Sequence, residues 1–220
     1  MSGQSDELVR FLEVLDQEGC LEHVVLVGSW AEYLYQHAGL LDGFSANIRT
    51  MDIDFLVKNL RRPQPVKTLA IAAREHGYLV DSDRLTGTTK IYSPNGLEIE
   101  FLIGKRGAGE EFALKTNLGV TAQSLRHTDV LARFAVAVGF GGMAVNVPMP
   151  EAYAVHKMVI NGERGRKQEK DERAVLGLWP FLDGRRTEVV LGALTKRERA
   201  RAAEFAEAHG LKLPEPRGGR

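Results

Sequence analysis

The feature that most constrains the fold is a segment in which acidic and apolar residues alternate, Asp52 to Val57. Strand side chains point alternately to opposite faces, so Asp52 and Asp54 would share one face while Ile53 and Phe55 fill the other. Two carboxylates about 7 Å apart on one face repel each other and lose solvation unless a cation lies between them. The segment therefore predicts a strand whose polar face holds a divalent cation. Mg²⁺ is the first candidate because it prefers oxygen ligands.

A second segment, Leu97 to Ile103, has the same alternation and places Glu98 and Glu100 on one face. A single acidic strand is ordinarily interpreted as an edge strand whose acidic face is exposed to solvent. A lone Asp-apolar-Asp tripeptide deserves this interpretation more often than not. Two such segments in one chain favour a gathered site, because three or four carboxylates on neighbouring strands are an unusual surface.

A strand–turn–helix motif precedes the first acidic segment. The apolar run Val24 to Val27 is followed by Gly28 and Ser29, and then by a helical pattern that extends to Ala38. Glycine lets a phosphate approach the backbone, and the N-terminus of a helix attracts anions. The motif predicts a phosphate-binding turn.

These segments together resemble the nucleotidyltransferase superfamily, which has the polymerase-beta-like fold: an apolar strand, a Gly-Ser turn, a helix, an Asp-apolar-Asp strand and a further acid on a later strand. The likeness is greatest to bacterial stand-alone nucleotidyltransferase-like proteins, some of which act as toxins or accompany antitoxins, and it covers about residues 20 to 180. One departure is the long interval between Ser29 and Asp52, which falls in a loop at 39–49 that contains glycine and serine.

The resemblance implies an α+β fold, a nucleotidyltransferase-like mixed β-sheet flanked by helices, with a helical C-terminal extension. We expect a catalytic domain at 1–148, a helical region at 149–210 and a disordered tail at 211–220. The patterns predict helices at 5–18, 29–38, 65–76, 151–161, 169–178 and 195–209, strands at 21–27, 78–80, 88–92 and 97–103, a hairpin formed by 132–138 and 143–147, and a mobile surface loop at 104–118 that is in a position to act as a lid.

The resemblance also assigns roles to residues. Asp52, Asp54 and Glu100 are the predicted catalytic residues and metal ligands, and Glu98 is the alternative third acid. The predicted contacts to the nucleotide phosphates are Gly28, Ser29, Lys90 and Lys157. For Lys90, an ordinary surface lysine is the favoured alternative. The expected cofactor is Mg²⁺ or Mn²⁺.

The predicted reaction transfers a nucleoside monophosphate from a nucleoside triphosphate (NTP) to a hydroxyl group and releases pyrophosphate. RNA is the favoured acceptor, and a protein or a small molecule is the alternative; an antitoxin is a further candidate partner. The competing hypothesis is a catalytically degenerate domain that binds nucleotide, RNA or a partner protein. A third is a structural protein whose acidic strands are accidental.

The C-terminal region supplies further candidates. Four basic residues follow the core: Lys157, Arg164, Lys167 and Lys170. Such residues usually belong to a solvent-exposed helix face. Lys157 is the exception, because it interrupts an otherwise apolar helix. We expect Asp171 to pair with one of these bases, and His156 to be exposed or packed rather than to act as a catalytic base.

Composition narrows the classes of partner and compartment. The 29 basic and 29 acidic residues give a formal net charge of zero, so no DNA partner is predicted. Cys20 is the sole cysteine, which excludes an intrachain disulfide and a cysteine-based zinc site. No secretory signal is recognisable, and no apolar run approaches the roughly 20 residues that span a bilayer. The sequence predicts a cytoplasmic protein without a membrane partner.

Overall fold

The computed structural model describes residues 2–46, 50–58, 68–105 and 112–214. The chain begins with α1 (Ser2–Gln17), which buries one apolar face that includes Phe11 and Leu15. The strand β1 (Val24–Val27) is buried along its whole length and leads through Gly28 into α2 (Ser29–His37). The predicted helices at 5–18 and 29–38 are therefore confirmed.

A mixed sheet forms the centre of the molecule. Within the described residues it has seven strands, in the order β1–β2–β5–β4–β3, and β7 pairs with β5 and with β6. The pairs β2–β5 and β5–β7 are parallel, and the others are antiparallel. The strands after β1 are β2 (Asp52–Val57), β3 (Leu79–Ser82), β4 (Thr89–Tyr92), β5 (Glu98–Gly104), β6 (Ala113–Lys115) and β7 (Thr121–Leu125), and α3 (Leu69–Glu75) lies between β2 and β3.

The rest of the chain is a short hairpin followed by helices. After α4 (Asp129–Arg133), the strands β8 (Ala135–Phe140) and β9 (Met143–Pro148) pair with each other, which confirms the predicted hairpin, although 132 and 133, predicted as strand, belong to α4. The helical region consists of α5 (Pro150–Ile160), α6 (Gln168–Leu178), α7 (Gly184–Gly192) and α8 (Lys196–Ala208). No helix in the described ranges is both long and apolar enough to cross a membrane. The α+β prediction with a helical C-terminal extension is confirmed.

The two faces of the sheet belong to separate apolar clusters. Ile53 and Phe55 of β2 face the cluster that contains residues of α1 and α2 and of the β8–β9 hairpin. Leu56, which alternates with them, faces the cluster built largely from α5 to α8. Because Asp52 and Asp54 have the same parity as Leu56, the two acids lie on the face that the helical region covers.

Several differences from the sequence prediction concern short elements. Residues 21–23 form a 3₁₀ turn rather than the start of β1, and α4, α7, β6 and β7 were not predicted. The predicted loop at 104–118 contains β6, while 106–111, where the lid was placed, lie outside the described residues. So do 47–49 of the inserted loop and 65–67 of the predicted third helix. In the predicted tail, Leu211 and Leu213 pack against the helical cluster, and 215–220 are not described.

Candidate active site

Gly28 joins the phosphate-binding turn to the acidic strand. Its φ of +69° is in the region that favours glycine, and it forms the N-cap of α2. Because Val27 is the register partner of Asp54, Gly28 lies directly beside that acid, and a Cβ on Gly28 would stand 2.7 Å from Asp54 Oδ2. Ser29, half-buried, begins the helix. Glycine is therefore required both for the turn and for the approach of Asp54.

The predicted acids occupy adjacent positions on two parallel strands. Asp52 is the partner of Glu98, and Asp54 is the partner of Glu100. Asp52 is exposed, whereas Asp54 is half-buried. Burial, followed by the charge of Glu100, raises the pKa of Asp54 to about 6. The structure thus brings the three predicted acids to one face and makes ionisation of the central one costly.

Lys90 lies in the middle of this acidic face. It is the register partner of Glu100, its Nζ is 2.9 Å from Glu100 Oε1, and it also donates to Glu98 Oε1. These hydrogen bonds raise the pKa of the Lys90 ammonium, which therefore remains charged. The sequence predicted Lys90 either as a phosphate contact or as an ordinary surface lysine. Neither prediction included its ion pairs with Glu98 and Glu100.

The donors on the acidic face match the predicted metal in their chemistry but do not converge on one point. Within the described part of the chain, no three acidic, histidine or cysteine side chains converge closely enough to hold a metal ion. The available donors are nevertheless all carboxylate oxygens, which suit Mg²⁺ or Mn²⁺, and because Gly28 has no side chain it does not crowd Asp54 Oδ2, which a Cβ would approach to 2.7 Å. The residues that could hold such an ion are Asp52, Asp54 and Glu100, the last once it separates from Lys90.

A second charged cluster faces the acids from the helical region. Lys157 is buried, and its Nζ is 2.5 Å from Asp171 Oδ1. Arg164 Nε donates to Asp171 Oδ2 at 2.9 Å, so the expected pairing of Asp171 is confirmed with two bases. Burial acts to raise the pKa of Asp171, but the two cations hold it below its ordinary value. The carboxylate of Asp171 fixes both basic side chains in place.

Sequence reasoning missed the contact that ties α2 to α5. The hydroxyl of Tyr153 donates to Glu32 Oε1 at 2.6 Å, and the Lys157 ammonium lies 4.8 Å from the centre of the Tyr153 ring. Burial raises the pKa of Glu32 even though the Tyr153 hydrogen bond acts in the opposite direction. The sequence offered little signal, because an acid in the first turn of a helix is common for its favourable interaction with the helix dipole.

A cavity of 210 Å³ separates the sheet from the helical region. Gly28, Asp54 and Lys157 line it together. His156 is also in the wall and is half-buried; burial, reinforced by the charges of Lys157 and Arg164, lowers its pKa to about 3. The imidazole is neutral at physiological pH and is a weak base, in agreement with the prediction that it is not the catalytic base.

Similarity to known proteins indicates the family of this chain. A family described as nucleotidyltransferase matches residues 6–176, whereas no curated protein matches the chain. The antibiotic-resistance factor ANT(2″)-Ia is similar in structure with a TM-score of 0.53 and 16% identity, over 95% of this chain and 98% of that one. An antigenic nucleotidyltransferase-like protein from Paracoccidioides brasiliensis gives a TM-score of 0.55 and 14% identity, over 94% and 88%.

At these identities the two structures show a shared fold and nothing finer. The family match extends from α1 into α6 and includes the Gly-Ser turn, both acidic strands and the Lys157–Asp171 pair. The resemblance inferred from the motifs is confirmed: the chain belongs to the nucleotidyltransferase family.

Proposed function

We propose that the protein is a metal-dependent enzyme that moves a nucleoside monophosphate from an NTP to a hydroxyl acceptor and releases pyrophosphate. The observation that carries the proposal is the close approach of Asp54 to Gly28, at the N-terminus of α2 and beside Asp52 and Glu100. A phosphate held by that helix end would lie next to the carboxylates. A binding-only domain has no need for a half-buried acid beside two others, with a pKa raised to about 6.

Each residue has a defined task in this proposal. The backbone N–H groups after Gly28 and the Ser29 hydroxyl hold the phosphates, because the helix N-terminus attracts anions. Lys157, fixed by Asp171, supplies positive charge across the cavity. Mg²⁺ or Mn²⁺, when bound by the acids, would stabilise the charge on the entering and leaving oxygens. For Lys90 to contact a phosphate, its ammonium must first leave Glu98 or Glu100.

RNA is the acceptor that we propose, and its support is the set of bases near the acids. Lys167 and Lys170 act electrostatically on Asp54 and lower its pKa, so both lie close enough to attract an anionic acceptor. A protein or small-molecule hydroxyl is the alternative. An antitoxin partner and a cytoplasmic location stay predictions from the sequence.

The test is transfer of label from each α-³²P NTP, with Mg²⁺ or Mn²⁺, to total RNA, cell protein and small hydroxylated molecules. Asp52→Asn/Asp54→Asn should remove the label, whereas Asp16→Asn, at an exposed position of α1, should retain it. Sensitivity to nuclease or to protease then identifies the acceptor. Label that is equally strong in the Asp52→Asn/Asp54→Asn variant would refute the proposed site.

One observation favours the catalytically degenerate alternative. The Lys90 ammonium already binds both Glu98 and Glu100 and offsets one of their two negative charges, which a metal cation would otherwise do. The two functions differ in a direct measurement: the degenerate domain binds NTP but transfers no label to any acceptor, whereas the enzyme does both.

A further inference from the structure

The cavity beside Asp54 is lined by both apolar and polar side chains. Its apolar surface comes from the sheet, from α4 and from α5, and the side chains that form it are Val27, Leu56, Leu102, Leu125, Leu131 and Ile160. Arg164 and His156 are among its polar lining residues. A site of this kind takes the faces of a flat apolar ring between its walls and recognises the ring edge with a few polar groups.

Arg164 has hydrogen-bond donors to spare. Its Nε is engaged with Asp171, while its two terminal amino groups make no hydrogen bond to any residue in the described ranges. The side chain is 34% exposed, so these groups are not sealed in the protein. A guanidinium donates and never accepts, so a ligand atom that meets Arg164 must be an acceptor.

His156 adds a second requirement. Its ring nitrogens also lack a hydrogen-bond partner among the described residues, and the charges of Lys157 and Arg164 act on the imidazole. Burial, and after it these charges, keep the imidazole unprotonated. A neutral imidazole has one nitrogen that accepts a hydrogen bond, which an N–H group on a ligand can use.

We propose that this cavity holds the base of the incoming NTP, and that Arg164 and His156 select bases whose edge places a carbonyl oxygen next to a ring N–H. Guanine and uracil have that edge. Adenine and cytosine present an amino group beside a bare ring nitrogen, so their amino group would meet the donors of Arg164. The inference rests on the proposed function, because the cavity is also lined by Asp54 and Gly28, beside which the phosphates of that nucleotide would lie.

The first test uses the unaltered protein and measures equilibrium binding of free NTPs without an acceptor. Inosine triphosphate and ATP differ only in this edge, as a matched pair, and UTP and CTP differ in the same way. One well-placed pair of base contacts discriminates by about 1–3 kcal/mol, so we expect inosine triphosphate and UTP to bind roughly 5- to 150-fold more tightly than ATP and CTP. Equal binding within each pair, or the reverse order, would overturn the inference.

The second test changes the two residues that are proposed to recognise the edge of the base. Arg164→Gln provides an amide that accepts as well as donates, so both preferences should fall at least about fivefold toward ATP and CTP. Arg166→Gln, two residues away and exposed, is the matched control and should keep the original ratios. His156→Phe keeps a flat ring without the nitrogens, and it should weaken binding of inosine triphosphate and UTP while ATP and CTP are unaffected. Ratios that survive both changes would overturn the assignment to these residues.

The outcomes separate this inference from the proposed function. If no NTP binds at all, both are wrong. If label is transferred but the NTP pairs bind without preference, the proposed function stands and the assignment of Arg164 and His156 is wrong.

Discussion

Gly28 and Asp54 face each other so closely that a single methyl group on Gly28 would stand 2.7 Å from Asp54 Oδ2. Gly28→Ala should therefore displace the Asp54 carboxylate and lower kcat/KM for transfer by about 100-fold, because small misplacements of reacting groups are costly. The positive φ should also reduce the free energy of unfolding by about 1 kcal/mol or more. Label-transfer kinetics and urea unfolding measure the two effects.

Gly39 provides the matched control. It has a φ of +62°, but a Cβ added to it would have nothing within 4 Å. Gly39→Ala therefore introduces the unfavourable backbone conformation without a steric contact. Its stability should fall while its activity is retained. Equal losses of activity in the two variants would show that the contact with Asp54 does not matter.

Asp171 is the anion on which two basic side chains depend. Asp171→Ala would leave Lys157 buried without a counter-charge, and we expect the free energy of unfolding to fall by about 3 kcal/mol. Glu169→Ala removes an exposed acid from the same helix and should change it by no more than about 0.5 kcal/mol. Urea denaturation measures the free energy of unfolding of both variants. Similar losses in the two would contradict the structural role of Asp171.

Lys90 competes with any cation for Glu98 and Glu100. Lys90→Met should lower the melting temperature of the metal-free protein, since two neighbouring glutamates lose their shared partner, and Mn²⁺ should restore it by binding. Thermal scans with and without MnCl₂ measure this. Lys115→Met, on the exposed part of β6, serves as the control. If Mn²⁺ raised the melting temperature equally in the wild type and in Lys90→Met, Lys90 would not compete with the cation for the two glutamates.

His156 should make the protein sensitive to acid. Its pKa is about 3 in the folded state and about 6.5 in the unfolded chain, so below pH 6.5 the unfolded state binds the extra proton. The contribution of His156 to stability is therefore intact above pH 6.5 and declines toward pH 3, by at most about 1.4 kcal/mol per pH unit. His156→Gln should flatten this part of the curve of unfolding free energy against pH, relative to the wild type. An unchanged slope would show that His156 is not held neutral by the fold.

The sequence predicted the acidic face because its signals are local. Alternation within Asp52–Val57 and within Glu98–Gly104 fixes which side chains share a face, and the strand predicted at 88–92 contains Lys90. The role of Lys90 was harder to predict, because it depends on the register between β4 and β5. A shift of one residue would send Lys90 to the opposite face.

The cavity and its lining residues could not be predicted from the sequence, for a different physical reason. His156 lies on α5 and Arg164 on the turn after it, and they line a cavity together with Asp54 only because α5 packs across the sheet. Helical periodicity shows that α5 is apolar, but it does not specify its neighbour. The short elements α4, β6 and β7 were missed because three to five residues carry too little periodicity to separate them from loops.

The parallel pairing of β2 with β5 also has a consequence for biosynthesis. Parallel neighbours need a crossover, so the ribosome must release α3, β3 and β4 before Glu100 can reach Asp54. A nascent chain that ends before β5 carries the phosphate turn without a finished acidic face. Substitutions that only slow this crossover would lower the yield of competent molecules, and every molecule that completes it would work at the normal rate.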